Sequence, residues 1–347
     1  VEEPGYVLVI DNGQEYLIAP KTNHYQEIFH EKNDYDKVIK TSGVIKIYDY
    51  DTGMEKLIKR VCKSVHLATI QPSLSYVEDL YMFTNPSKTH LLKKMFKANS
   101  QLKLIDLGKI LASLRSRKTS NELGMIAQAI SHTAKLQAIF SRKLSSSQNE
   151  SDLLMDAKKY LLKNDLEFAY DPIIANGENA ITLHYTQNNS KIDHKEFTLI
   201  DAAVKSTKYA ADITRTYVAN PTKRQAKVYE TVALIQSFAI DMLKPGITLK
   251  DYEEGVRKYA GEKLRELGLI KSIDKDMVAR YYPHATSHFL GIDVHDVGLV
   301  DQPLDRGMVL TVEPGIYIPE EKIGIRIEDD IVITEDGAEV LSTNIPK

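Results

Sequence analysis

Apolar positions bracket a polar pair near the start of the chain: Tyr6-Val7-Leu8-Val9-Ile10 and Tyr16-Leu17-Ile18 flank Asn12-Gly13. Asn-Gly supplies the positive φ of a tight turn, so residues 5–19 predict a β-hairpin. Short apolar runs at 44–48, 66–70 and 102–107 then alternate with helical periodicity such as 89–98, which predicts an α/β layer. Thr119 and Glu122 have capping-box spacing ahead of Leu123, Ile126, Ala127, Ile130 and Ala134, predicting a helix. A second helix is expected by about Ser151. A third is expected from Asn220-Pro221 to the Lys244-Pro245-Gly246 stop, and a fourth over 249–267. Strand-like runs fall at 168–174, 197–203, 209–218, 284–290, 307–318 and 324–334. The expected organisation is an α/β domain over 1–112 and an α+β domain over 113–347, with helices flanking a largely antiparallel sheet.

Composition narrows the function classes. With 347 residues, two domains are the default expectation. Lys+Arg 45 against Asp+Glu 48 leaves no basic excess for a nucleic-acid partner. No apolar run approaches the roughly 20 residues of a membrane helix, and the N-terminus lacks a signal-peptide layout. Cys62 stands alone and asks for no oxidising compartment, so it is expected to be a small buried residue in a cytoplasmic protein. The chain starts at Val1 without an initiator Met, and its N-terminal domain is expected to be incomplete at its start.

The chemistry lies in acids embedded in apolar strands. If 197–203 and 209–218 pair about a centre near 206–207, Asp201 faces Asp212 on one sheet face, at about 5 Å between Cβ atoms. If 307–318 and 324–334 turn around Pro319-Glu320-Glu321-Lys322, Glu313 faces Glu328. His284 and His288 share a face if 284–290 is a strand. Carboxylates held this close repel unless a proton or cation sits between them. Four carboxylates and an imidazole suit two divalent ions, Mn²⁺, Co²⁺ or Zn²⁺, about 3.5 Å apart and activating a bridging water.

The ordered set His184, in Glu178-Asn179-Ala180-Ile181-Thr182-Leu183-His184-Tyr185, with Asp201, Asp212, His288, Glu313 and Glu328, resembles the pita-bread metallopeptidases. These are the creatinase, prolidase, methionine aminopeptidase and aminopeptidase P group. Residues 211–217, 284–298 and 313–318 are most similar to bacterial Xaa-Pro aminopeptidase. The resemblance is dense over 119–347 and thin over the first 110 residues, as a partial creatinase-like N-terminal domain. It implies that Asp201 binds one ion, that His288 and Glu313 bind the other, and that Asp212 and Glu328 bridge them. It implies an aminopeptidase for peptides with proline second, using a hydroxide that bridges the metals. His184 and His295 would hold the scissile carbonyl, Glu313 would relay a proton, and His284 would border the proline pocket. Arg326, on the strand face of Glu328, would reach the same cleft. A homodimer or homotetramer is the implied assembly. Prolidase is the alternative with the same ligands, and a non-catalytic binding protein the remote one. The chain departs from the group's frequent Asp-Ala-Gly-x-Glu-Tyr in having Ala203, Lys205 and Ser206, and in Ala285 between the histidines.

Overall fold

A computed structural model describes residues 5–21, 34–70 and 86–347. Two compact units emerge, Val1–Gly108 and Lys109–Lys347.

In the first unit β1 (Val7–Asp11) and β2 (Gln14–Ile18) form the expected hairpin. Asn12 and Gly13 both have positive φ, at 49° and 77°. After α1 (Tyr35–Ser42), β3 (Ile47–Tyr48) adds parallel to β2, followed by α2 (Tyr50–Val61). β4 (His66–Thr69), α3 (Pro86–Ala98) and the parallel β5 (Lys103–Asp106) complete the α/β pattern. Tyr16, Ile18, Met54, Leu57, Val61, Met95 and Leu102 form the core. Gly53 lets α2 close on β2, because a Cβ there would lie 2.7 Å from Ile18. Cys62 is exposed, contrary to the expected burial. The expected boundary after residue 112 falls inside α4 (Gly108–Ser116).

In the second unit α4 is followed by α5 (Ser120–Lys143), whose Thr119–Glu122 capping box is formed as expected, and α6 (Glu150–Lys163). Of the six expected strand runs, 284–290 is not a strand and the other five contain strands. The run 168–174 divides into β6 (Glu167–Phe168) and β7 (Ile173–Asn176). The run 197–203 contains β8 (Thr198–Asp201), β9 (Val204–Ser206) lies between the runs, and the run 209–218 divides into β10 (Tyr209–Ala210) and β11 (Thr214–Tyr217). After α7 (Lys223–Met242), α8 (Leu249–Glu266) and α9 (Lys275–Tyr281), the remaining strands are β12 (Val309–Val312), β13 (Gly315–Ile318), β14 (Ile323–Arg326), β15 (Asp329–Ile333) and β16 (Ala338–Val340). They pair antiparallel in four small ladders: β7–β8–β11, β6–β9–β10, β12–β15–β16 and β13–β14. The pairing is antiparallel as expected, and the runs 168–174, 209–218, 307–318 and 324–334 each change ladder partway. α7 begins two residues later than expected, because Thr222 and Gln225 cap each other reciprocally.

Helix periodicity explains the packing. On α8, Leu249, Tyr252, Val256, Ala260 and Leu264 recur at three and four residues and share a core with Leu310, Val312, Ile316, Ile325, Ile327 and Ile331. Each such side chain, fully buried, contributes about 1.5–3 kcal/mol. Ile126, Ala129 and Ile130 of α5 pack against Ala203, Ala210, Ala211, Ile213 and Val309. Gly324 admits the turn before His184, since a Cβ there would stand 2.2 Å from the Ala180 carbonyl oxygen.

Candidate metal centre

The acids sit at the joints of the interrupted strands. Asp201 ends β8, Asp212 lies between β10 and β11, Glu313 between β12 and β13, and Glu328 between β14 and β15. A side chain at such a joint leaves its ladder's pleat and can turn toward a common point. The Glu313–Glu328 register is as predicted: Gly315 pairs Arg326 and Val312 pairs Asp329, on either side of the joint. The other register differs by two residues, and Asp201 faces Thr214 rather than Asp212. The cause is a two-residue turn at Thr207 and Lys208, both left-handed, with Ser206 paired to Tyr209. A shift of two keeps the side-chain parity, so Asp212 and Thr214 still belong to the same side. The run 284–290 is not a strand. Its N–H groups at Thr286 and Ser287 donate to the Glu253 carboxylate at 2.8–2.9 Å, while Phe289 bridges Leu310 and the His288 carbonyl and Leu290 N–H bond Thr311 and Val309 of β12.

A cavity of about 760 Å³ is lined by all nine predicted residues: His184, Asp201, Asp212, His284, His288, His295, Glu313, Arg326 and Glu328. Asp212, His288 and Glu328 bring ligand atoms within 4.8 Å of one another. Glu313 lies 3.4 Å from His288 Nε2, as does Asp212. Asp201 stands apart from this trio and accepts from Arg326 Nη2 and the Tyr170 hydroxyl, both at 2.5 Å. His184 and His295 are exposed on the cavity wall, and the His295 ring meets His288 edge-on at 4.3 Å between centroids.

Burial and mutual repulsion strain this group electrically. Burial first, with repulsion from Asp212 and Asp201, pushes the Glu313 carboxyl up to about 8 against the pull of His288 and Arg326. Glu328 rises well above its ordinary range through burial and its neighbours Asp212 and Glu313. Asp201 also rises, chiefly through burial, although Arg326 opposes the shift. Burial would lower His288, but its hydrogen bond to Asp212 and the charge of Glu313 hold it up at about 9. The protein's own cations do not balance these acids, and divalent ions would. The donor set fits such ions. His288 Nδ1 faces the Phe289 carbonyl at 3.1 Å and must donate to it, which leaves Nε2 to serve as a ligand.

Arg326 organises the wall. Its Nε donates to Thr214 at 3.1 Å and Nη1 to Tyr317 at 2.8 Å, while Thr214 donates to Glu328 at 2.6 Å. His284 is driven down to about 4 by burial and by Arg326, so it is neutral. Its Nδ1 donates to the Ala285 carbonyl at 2.8 Å, and Nε2 therefore accepts from Tyr317 at 2.9 Å. Tyr170, Thr214, Glu253, Tyr317 and Asp330, whose Oδ2 accepts the Asp212 N–H at 3.2 Å, were not singled out from the sequence. Glu253 left one signal: a charge on the apolar stripe of α8, between Leu249 and Val256.

Residues 124–335 match metallopeptidase family M24. The Xaa-Pro aminopeptidase of Haemophilus influenzae is 34% identical over 70% of this chain and 61% of its own length. Human Xaa-Pro aminopeptidase 3 is 30% identical over all of this chain and 72% of its own. The structure of Escherichia coli aminopeptidase P with the inhibitor Pro-Leu superposes with a TM-score of 0.81 at 27% identity, over the whole of this chain and 84% of that one. The chain belongs to metallopeptidase family M24 and has its α+β pita-bread fold. It spans 61% of the Haemophilus influenzae protein's length. No helix among the described residues is long and apolar enough to cross a membrane.

Proposed function

We propose that the protein is a metal-dependent aminopeptidase that removes the N-terminal residue from peptides with proline in second position, in the cytoplasm and as a homodimer or homotetramer. The observation that carries this reading is the cavity itself, where four acids and His288 converge beside three further histidines and Arg326. Asp201, Asp212, His288, Glu313 and Glu328 would hold two divalent ions, Mn²⁺ foremost with Co²⁺ or Zn²⁺ as alternatives. When bound, the ions supply Lewis acidity and an activated water.

The chain's own residues do the rest. Glu313 is placed to take a proton and pass it to the departing proline nitrogen. His184 and His295 donate hydrogen bonds to the scissile carbonyl as negative charge develops there. Burial and the neighbouring His288 lower the His295 imidazole, so it serves as a neutral donor. The neutral His284 borders the proline ring. Arg326 positions Asp201, Tyr317 and Thr214 through its three nitrogens.

The same arginine argues against a dipeptidase. It is the only Lys or Arg among the described residues lining the cavity, and each of its nitrogens already serves a protein group. An Xaa-Pro dipeptide would bring a free carboxylate with no free cation there to meet it. Hydrolysis of an Xaa-Pro dipeptide and an Xaa-Pro-Yaa tripeptide with Mn²⁺, each with a chelator control, tests the proposal. Chelator-sensitive preference for the tripeptide is expected. Preference for the dipeptide would make the protein a prolidase, and silence on both would end the peptidase reading.

A further inference from the structure

His295 reaches the cavity on residues 291–300, which form no helix or strand. Two local bonds shape this loop: the Asp296 N–H donates to the Phe289 carbonyl at 2.8 Å, and the Gly291 N–H to the Asp293 carbonyl at 3.1 Å. Its other anchor is a buried carboxylate. Asp296 lies against Arg115 Nη2 at 2.5 Å and Lys118 Nζ at 3.3 Å, and the Asp296 and Lys118 side chains are each 1% exposed. Arg115 also binds Asp293 at 2.7 Å.

The cations belong to a fixed frame. The Lys118 N–H donates to the Gly307 carbonyl at 2.7 Å, and Arg117 bridges Met308 just before β12. β12 in turn holds the histidine segment, because the Thr311 N–H donates to the His288 carbonyl at 3.0 Å. One strand thus supports both the ligand His288 and the cations that hold the loop of His295. Two glycines show how closely the parts fit. A Cβ at Gly291 would lie 2.1 Å from Asp296 Oδ2, and one at Gly298 would lie 1.9 Å from the Phe289 ring.

We propose that Asp296, clamped between Arg115 and Lys118, is the positioning residue for His295, fixing the imidazole edge-on to His288 and toward the scissile carbonyl. The proposal rests on the peptidase reading for its catalytic consequence. Buried ion pairs gain little over apolar packing of the same volume. What they add here is direction, since a carboxylate gripped from two sides admits one loop geometry. Misplacing a catalytic group by about 1 Å can cost roughly 100-fold in rate.

The test is a double-mutant cycle on the Mn²⁺-loaded full chain, with Asp296→Asn, His295→Ala and the double variant acting on an Xaa-Pro-Yaa peptide. Lys118→Met, which preserves volume, stands in if Asp296→Asn does not fold. A loss of about 10- to 100-fold in kcat with little change in KM is expected for Asp296→Asn. The double variant should be no slower than His295→Ala alone. Additive losses would overturn the proposal, because a merely structural role would slow the enzyme whether or not His295 is present. A second readout needs no turnover. In Zn²⁺-supplemented protein with ¹³C-labelled histidine, Asp296→Asn should move the resonance that disappears in His295→Ala, and an unmoved resonance would also overturn the clamp. Absence of wild-type turnover would count against the peptidase reading, leaving the resonance to decide the clamp.

Discussion

Glu328 and Asp329 are adjacent, almost equally buried at 2% and 1% exposure, and end in opposite electrostatic circumstances. Asp329 accepts from Arg215 at 2.7 Å, Ser342 at 2.7 Å, Gln236 at 3.0 Å and Lys347 at 3.1 Å. Arg215 is just as well satisfied, with Nη1 and Nη2 donating to the Glu328 and Ile345 carbonyls as well. Glu328 has one hydroxyl donor, Thr214, and faces three other carboxylates. On one side of the strand the protein supplies the counter-charge itself. On the other it leaves the acids to compete, as a centre for cations requires. Burial alone does not separate a structural acid from a functional one. The source of the compensating charge does.

The strongest way to break this contrast is Glu313→Gln. Turnover should fall by about 10³-fold or more, since on the proposed function both a ligand and a proton carrier are removed. Near-normal activity would take Glu313 out of the mechanism. On the other side of the strand, Arg215→Met leaves Asp329 buried without its main partner, at a cost of about 3–5 kcal/mol. That amounts to a Tm loss of about 10 °C for a unit of this size. Glu328→Gln, measured after chelation, should leave Tm unchanged or higher, because it removes a competing acid. A large fall for Glu328→Gln would place that residue with Asp329 as a structural group.

The smallest effect is a pH dependence of the chelated protein. His288 is held at about 9 against an ordinary 6.5, and Glu313 at about 8 against 4.5, so both bind protons more tightly when folded. The stability they contribute is fully present below the unfolded values and is lost as pH rises through the folded ones. His284 is shifted down to about 4, so it works in the opposite direction but only below 6.5. Calorimetry should therefore show Tm of the chelated protein falling from pH 6.5 to about 9, with Mn²⁺ flattening the slope. An equally flat profile without metal would contradict the picture of competing acids.

Much of the centre was legible because it is built from hairpins. A short turn fixes register locally, and the Pro319–Lys322 turn placed Glu313 opposite Glu328 over the whole length of two ladders. The other hairpin was misjudged by two residues. Thr207-Lys208 is not a sequence that announces two left-handed residues, yet both adopt that conformation. Period-two parity survived the error, and with it the convergence of Asp201 and Asp212 on one cavity. The histidine segment was misread because it pairs with β12 only in part: the Thr311 N–H donates to the His288 carbonyl and the Leu290 N–H to the Val309 carbonyl, while the Thr286 and Ser287 N–H groups go to Glu253 on α8, 33 residues before Thr286.

Sequence by itself determined the amphipathic helices, most of the strand runs and the shared parity of the four acids, because spacing of three to four or of two is a local property of the chain; His184 and His295 came from the resemblance to the pita-bread metallopeptidases. Tertiary structure decided where those strands break, and so how four acids at four joints turn toward one another. It also decided which buried charges are neutralised: Asp329 by Arg215 across 114 residues, Asp296 by Arg115 and Lys118 from far earlier in the chain. Such pairings depend on which elements meet in three dimensions, and no periodicity along the chain encodes that.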